Sequence, residues 1–159
     1  MNKNYLLAAG LLLGIGLGGF VDGILFHQIL QAHNMLSNVY FPSTLVNAEI
    51  NMFWDGLFHA FTWITTVVGV FLLWKGLNIK QQAYSVWYLV GLLFTGWGIF
   101  NLVEGTLDHQ IFQLHHVIQR ATTTTQFYSD ILFLISGVLF CIFGMSLAIK
   151  NRPRKLAMA

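Results

Sequence analysis

Residues 102–118 read LVEGTLDHQIFQLHHVI, and they place two carboxylates and three histidines at the end of a strongly apolar segment. An earlier stretch matches this one: residues 21–33 read VDGILFHQILQAH, and residues 103–115 read VEGTLDHQIFQLH. Eight of the thirteen aligned positions are identical, and Asp22 aligns with Glu104. A polar motif repeated in this way predicts an internal duplication of a helical hairpin.

The composition predicts an integral membrane protein. Of the 159 residues, 56% are hydrophobic and only 9% are charged, whereas about 25% of a soluble domain is charged. A transmembrane helix needs about 20 mostly apolar residues, and four segments qualify, at about residues 5–26, 52–74, 84–107 and 127–149. We therefore expect one all-α integral membrane domain over residues 1–159, a four-transmembrane-helix bundle built from a duplicated helical hairpin.

Several other classes of protein are disfavoured by the same sequence. The net charge of +2 is too small to indicate nucleic-acid binding, and no basic patch alternates with aromatic residues. Cys141 is the single cysteine, so neither an intrachain disulfide nor a thiolate cluster is expected. The first apolar segment runs into the motif that the third segment repeats, which favours a retained helix over a cleaved signal peptide.

The distribution of basic residues predicts the orientation in the bilayer. With four spans, one side carries most of the positive charge and the other side carries Arg120 alone. The residues on the basic side are Lys3, Lys75, Lys80, Lys150, Arg152, Arg154 and Lys155. Positive charge is enriched in cytoplasmic segments, so we expect both termini in the cytoplasm and the histidine-bearing loops on the periplasmic or outer side.

Acidic residues converge on the outward end of the four segments. Counting about 1.5 Å per residue, Asp22 and Glu104 lie near the ends of two segments, and Asp55 and Asp130 lie just inside the starts of the others. Carboxylates at membrane depth must be protonated, paired or bound to a cation. Since almost all lysines and arginines lie at the other end, salt bridges do not account for this layer.

Histidines accompany these acids, and both residue types are ligands for zinc, iron, manganese and cupric copper. The sequence therefore predicts a metal site at the periplasmic face. The candidate ligands, or residues that orient them, are Asp22, His27, Asp55, His59, Glu104, Asp108, His109, His115 and His116. They outnumber the ligands of one ion, so a two-metal site stays open. Asp130 fits a cap or packing partner better, and His33 by itself fits an interfacial residue.

Three long motifs resemble a bacterial membrane-protein family catalogued as domain of unknown function 2243. They are GFVDGILFHQILQAH at residues 19–33, NMFWDGLFHAFTW at residues 51–63 and GWGIFNLVEGTLDHQIFQLHHV at residues 96–117. The resemblance covers essentially the whole chain. It implies four spans and a respiratory-oxidase or assembly-factor partner, and it implies no particular activity.

The function favoured by these patterns is the handling or delivery of copper, zinc or iron at the outer leaflet. A di-metal membrane oxidoreductase is an alternative, although the Glu-x-x-His spacing of di-iron bundles is missing. A bis-histidine haem electron carrier, with His27 and His109 as axial ligands, is another. An ion conductor and a structural partner of a respiratory complex also stay open, and so does enzymatic activity. The glycine-rich helix faces permit a homodimer.

Overall fold

The computed structural model describes residues 4–78, 82–83, 85–152 and 154–155. It has four long helices: α1 over Asn4–Val21, continued by a first π-helical segment over Asp22–Ile29; α2 over Leu45–Leu77; α3 over Val86–Glu104, continued by a second π-helical segment over Gly105–Ile111; and α4 over Thr123–Lys150. Two short strands, β1 (Gln82–Ala83) and β2 (Arg154–Lys155), pair antiparallel.

All four helices are long and apolar enough to cross a membrane, as the composition predicts. Helices α2 and α4 begin several residues earlier than the apolar segments predict, and a threonine caps each of these starts. The Thr44 side chain accepts a hydrogen bond from the Asn47 amide at the start of α2 (3.2 Å). Thr122 accepts one from the Thr125 amide at the start of α4 (3.3 Å). Both caps satisfy amides that a helix start leaves unpaired.

The helices pack in the order α2, α1, α3, α4. Helix α1 contacts α2 and α3, and α4 contacts α3. At the central crossing Gly14 and Gly96 face each other: a Cβ added to Gly14 would lie 2.8 Å from the Gly96 Cα. Small residues allow backbones to approach this closely in a membrane. The outer helices expose large apolar side chains such as Phe61 and Leu139, which suits a lipid-facing surface.

The start of α1, the end of α2, the start of α3 and the end of α4 meet at one end of the molecule. A Cβ added to Gly76 would lie 3.3 Å from the Leu6 amide nitrogen, and strands β1 and β2 pair there. Lys3 and Lys80, which the charge pattern assigns to this end, and Tyr84, the predicted start of the third span, lie outside the described residues.

Two loops, residues 30–44 and 112–122, cover the opposite end and are hydrogen-bonded to each other. The Asn38 amide donates to the Leu114 carbonyl (2.9 Å), and the Gln119 amide donates to the Ala32 carbonyl (2.9 Å). Each loop starts at a glutamine in the left-handed backbone region, Gln31 with φ 48° and Gln113 with φ 49°. These turns direct both loops back over the ends of α1 and α3, where the polar residues lie.

Candidate metal centre

The first π-helical segment brings an acid and a histidine onto one face. In an α-helix, residues five apart are rotated by roughly 140° from each other, so Asp22 and His27 would point in different directions. A π-helix closes its turn between residues five apart. As a result, His27 Nε2 lies 2.9 Å from Asp22 Oδ2. Glu104 and His109 have the same spacing at the second π segment, and both are buried.

Four imidazole rings pack together beneath the two loops. Ring centroids are 4.5 Å apart for His27 and His33, 4.4 Å for His33 and His115, and 4.8 Å for His109 and His115. The four residues are only 0–2% exposed to solvent. Several imidazolium charges at such distances would repel one another strongly, so this packing favours neutral rings, which carry a nitrogen lone pair for a metal.

Hydrogen bonds at Nδ1 fix the orientation of three of these rings. Each Nδ1 lies near an oxygen: His27 near Asp55 Oδ1 (2.9 Å), His33 near the Val117 carbonyl (2.9 Å) and His115 near the Met35 carbonyl (3.0 Å). Because those oxygens accept, Nδ1 carries the proton and donates. At His33 and His115 this leaves Nε2 with its lone pair, whereas His27 Nε2 also lies 2.9 Å from Asp22 Oδ2. Metal-binding histidines are oriented in this way, by a carboxylate or carbonyl on the far nitrogen.

The free donor atoms of four residues converge on one point. One atom from each of His27, His33, Glu104 and His115 lies within 4.8 Å of the others. Donors on a common ion lie at most about 4.4 Å apart when metal–ligand bonds are 2.0–2.2 Å, so an inward shift of a few tenths of an ångström suffices. This group can hold a metal ion.

These donor atoms contact one another and no other side chain by a hydrogen bond among the described residues. The Nε2 atoms of His27, His33 and His115 and the Glu104 Oε2 are buried without a hydrogen bond, and so is Asp22 Oδ2. A buried polar atom costs about 1–3 kcal/mol when it stays unpaired. A metal ion bound to the convergent group could satisfy such atoms.

Asp22 lies next to the same group of donor atoms. Its Oδ2 lies 2.9 Å from His27 Nε2 and 3.9 Å from His33 Nε2. Neither atom has a hydrogen-bond partner elsewhere in the described part of the chain. Two adjacent ligands of one ion have this relationship.

No lysine or arginine competes for these carboxylates in the described part of the chain. Every base within 4.0 Å of an acid there is a histidine. Arg120, the one basic residue expected at this end, lies over the Phe41 ring instead, 5.8 Å from its centroid. The negative charge of the centre is therefore balanced neither by lysine nor by arginine.

Burial keeps the His115 imidazole in its neutral form, which is the form that binds a metal. Burial lowers the pKa of its imidazole well below the usual range, and the neighbouring rings of His33 and His109 act in the same direction. The ring therefore stays neutral at physiological pH, with Nε2 available as a donor.

Asp55 holds the first loop as well as His27. Its carboxylate accepts hydrogen bonds from the Met35 amide (2.8 Å) and from the Asn34 side chain (2.9 Å). Asp130 holds the second loop in the same way. Its carboxylate accepts a hydrogen bond from the Val117 amide (2.9 Å), and its Oδ2 lies 2.7 Å from His116 Nδ1. These two acids orient the loops and rings around the centre, and neither is in the convergent group.

The other predicted site residues lie beside the centre. His59 Nδ1 donates to the Asp55 carbonyl one turn earlier in α2 (2.7 Å). His116 is tied to Asp130 and is partly exposed. Asp108 is partly exposed and lines a cavity with Glu104. His109 packs inside the imidazole group, its Nδ1 3.7 Å from Asp130 Oδ1 and both nitrogens without a hydrogen bond.

His33 is the member of the convergent group that sequence reasoning left out. A lone histidine in a loop is usually interfacial, and His33 was interpreted in that way. The signal that identifies it is its alignment with His115 at the last position of the repeated motif. The carbonyls of Met35 and Val117, which orient both rings, have no signature in the sequence.

Four membrane-length helices around a buried cluster of histidines and carboxylates define a polytopic membrane protein with a candidate metal centre. The family of predicted membrane proteins DUF2243 matches residues 9–151. The chain belongs to this family, as its three motifs suggest. No curated protein and no solved structure shows a significant match to the chain.

Proposed function

We propose that this protein binds a transition-metal ion at the outer end of its helices and retains it as a resident cofactor. His27, His33 and His115 would supply nitrogen donors, and Glu104 an oxygen donor, with Asp22 next to them. The observation that carries the proposal is the set of buried, unpartnered donor atoms lying within 4.8 Å of one another.

The donor set favours iron, zinc or manganese over cuprous copper. Imidazole and carboxylate suit the former ions, whereas Cu(I) prefers thiolate and thioether sulfur. Cys141 lies away from the centre, its Sγ 3.7 Å from the Thr95 carbonyl. The centre is also closed, since its five donor residues are at most 6% exposed. Retention of an ion is therefore a better proposal than rapid capture and delivery.

The geometry disfavours haem. A bis-histidine haem with His27 and His109 as axial ligands needs a porphyrin between the two rings. The space next to them is filled by His33 and His115, whose rings contact both. A macrocycle does not fit without separating the loops.

The paired contacts of the two halves support a duplicated hairpin. Asp55 accepts from the Met35 amide, and Asp130 accepts from the Val117 amide, which is the aligned position. Gln31 and Gln113 are likewise aligned, and they share one backbone conformation. On this proposal His109 is the counterpart of His27, and its Nε2 could extend the centre towards a second ion.

The basic end of the molecule supports a cytoplasmic location for both termini, with the metal centre near the periplasmic surface of the bacterial inner membrane. Fusion of alkaline phosphatase or a fluorescent protein to the C-terminus tests this. Fluorescence without phosphatase activity is expected, and the reverse would contradict it.

Elemental analysis tests the metal centre. The protein purified in detergent, stripped with a chelator and reloaded separately with Fe(II), Zn(II) or Mn(II), should retain about one equivalent of at least one ion after gel filtration. His33→Ala and His115→Ala should fall below about a tenth of that value, because each removes a donor. His59→Ala removes a histidine outside the convergent group and should retain the wild-type content. Wild-type protein that retains none of the three ions, or ligand variants that retain the full content, would refute the proposal.

A further inference from the structure

A cavity of about 320 Å³ lies between α1, α2 and α3 next to the metal centre. Its walls are apolar, with three phenyl rings among aliphatic side chains, and two carboxylates also line it. The lining residues on which the proposal depends are Ile15, Phe58, Phe61, Phe100, Glu104 and Asp108. Phe61 and the neighbouring Val103 are more than half exposed on the spanning helices, so the cavity opens sideways towards lipid.

The corresponding place in the other half of the molecule is filled. Extending the alignment of the repeat pairs Ile15 with Trp97 and Asp108 with Phe26. The Trp97 ring packs onto Gly18, where an added Cβ would lie 2.6 Å from Trp97 Cδ1, and onto Phe140 (ring centroids 5.2 Å). At these two positions the half with the cavity has a smaller side chain, Ile15, and a carboxylate, Asp108, where the other half has Trp97 and Phe26.

The Asp108 carboxylate at the end of the cavity is available to a ligand. It is partly exposed, and no described residue donates a hydrogen bond to it. Glu104 also lines the cavity, but its Oε2 is buried. An acceptor at the end of an apolar cavity with three phenyl rings matches a molecule with a flat apolar ring and a hydroxyl donor.

We propose that this cavity binds a membrane-dissolved phenol, in particular the ring of an alkylated quinol. The ring would lie between Phe58, Phe61 and Phe100, and a hydroxyl group would donate to Asp108. Its alkyl tail would leave through the lipid-facing opening. Because Glu104 contributes to both sites, the hydroxyl group would lie beside the metal centre, but binding itself does not depend on an ion.

The test is equilibrium binding of tritiated 2-decylhydroquinone to the protein in lipid nanodiscs under anaerobic, reducing conditions. Saturable binding is expected, with competition by unlabelled quinol and none by decylbenzene, which has the same tail and no hydroxyl group. Equal competition by decylbenzene would mean that the cavity does not recognise the hydroxyl groups, and would overturn the proposal.

Two variants locate the binding. Ile15→Trp should fill the cavity as Trp97 fills its counterpart and reduce affinity at least about tenfold. Leu17→Trp is the matched control, because Leu17 lies on the same helix and is 44% exposed to lipid; it should bind normally. Asp108→Leu removes an acceptor and should also cost about tenfold, which keeps the test decisive if Ile15→Trp does not fold. Unchanged binding in Asp108→Leu and in folded Ile15→Trp would overturn the proposal.

Metal content measured on the same samples separates the two sites. Quinol binding by protein that retains none of the ions after reloading would refute the metal centre alone. A loaded metal centre without saturable quinol binding would refute the cavity proposal alone.

Discussion

The imidazole rings of His33 and His115 lie face to face, with centroids 4.4 Å apart and planes inclined by only 3°. Each ring is held by a carbonyl of the loop that carries the other: His33 by Val117, and His115 by Met35. The two loops therefore orient each other's histidine. Separating the two loops would break both orienting hydrogen bonds at once. The loops and the candidate metal centre therefore form one structural unit.

Replacing Asp55 should weaken metal binding without removing a ligand. Asp55→Asn keeps one acceptor oxygen but loses the charge that holds the His27 Nδ1 proton (2.9 Å). Loss of such an orienting carboxylate typically costs about 10–100-fold in metal affinity. The dissociation constant for Zn(II), measured by competition with a chelator, reports it. Glu49→Gln, a change of an exposed acid near the start of α2, is the matched control; equal affinities in both variants would contradict this role.

Acidification should destabilise the metal-free protein through His115. Its pKa is lowered by burial in the folded state, whereas in the unfolded chain it titrates near its ordinary value of about 6.5. Below about pH 6.5 the unfolded state therefore binds a proton that the folded state does not. The free energy of unfolding should fall by up to about 1.4 kcal/mol per pH unit for this group.

Denaturant unfolding of chelator-treated protein at about pH 7.5 and about pH 5.5 measures this dependence. His115→Gln cannot take up the proton, so its stability should change less between the two pH values. An equally steep dependence in His115→Gln would show that other groups are responsible.

The central helix crossing should tolerate no side chain at Gly14. A Cβ there would lie 2.2 Å from the Leu93 carbonyl oxygen and 2.8 Å from the Gly96 Cα. Because both contacts are with backbone, α1 and α3 would have to separate, and Gly14→Ala should lose about 2 kcal/mol or more. Gly56→Ala is the control, since an added Cβ there meets nothing within 4 Å, and it should gain up to about 1 kcal/mol. Thermal unfolding in detergent compares them; equal melting temperatures would refute the close crossing.

The left-handed turn at Gln113 should be improved by glycine. With φ 49°, a residue that carries a Cβ is strained by about 1–2 kcal/mol. Gln113→Gly should therefore stabilise the protein by about 0.5–1 kcal/mol, after the extra entropy that glycine loses on folding. Gln110→Gly, in the second π segment, has no such strain to relieve and should lose about 1 kcal/mol. Stabilisation by neither or by both variants would contradict this account of the turn.

The sequence by itself determined the four spans. The length of an apolar segment and the charges that flank it are local properties, and they decide whether the segment inserts into a bilayer. It also determined that the acids and histidines lie at one end, because helix rise converts sequence position into depth. The repeated motif identifies Asp22, His27, Glu104, His109 and His115 as candidate site residues without any knowledge of contacts.

Only the tertiary structure decided which of these side chains meet. The π-helical segments rotate His27 onto the face of Asp22, a change that α-helical counting does not anticipate. The loops add His33 to the group and place His116 against Asp130, while His59 bonds a carbonyl of its own helix. The physical reason is that ring orientation depends on backbone carbonyls from distant loops. Every residue type offers such a carbonyl, so no pattern of side chains reveals which one is used.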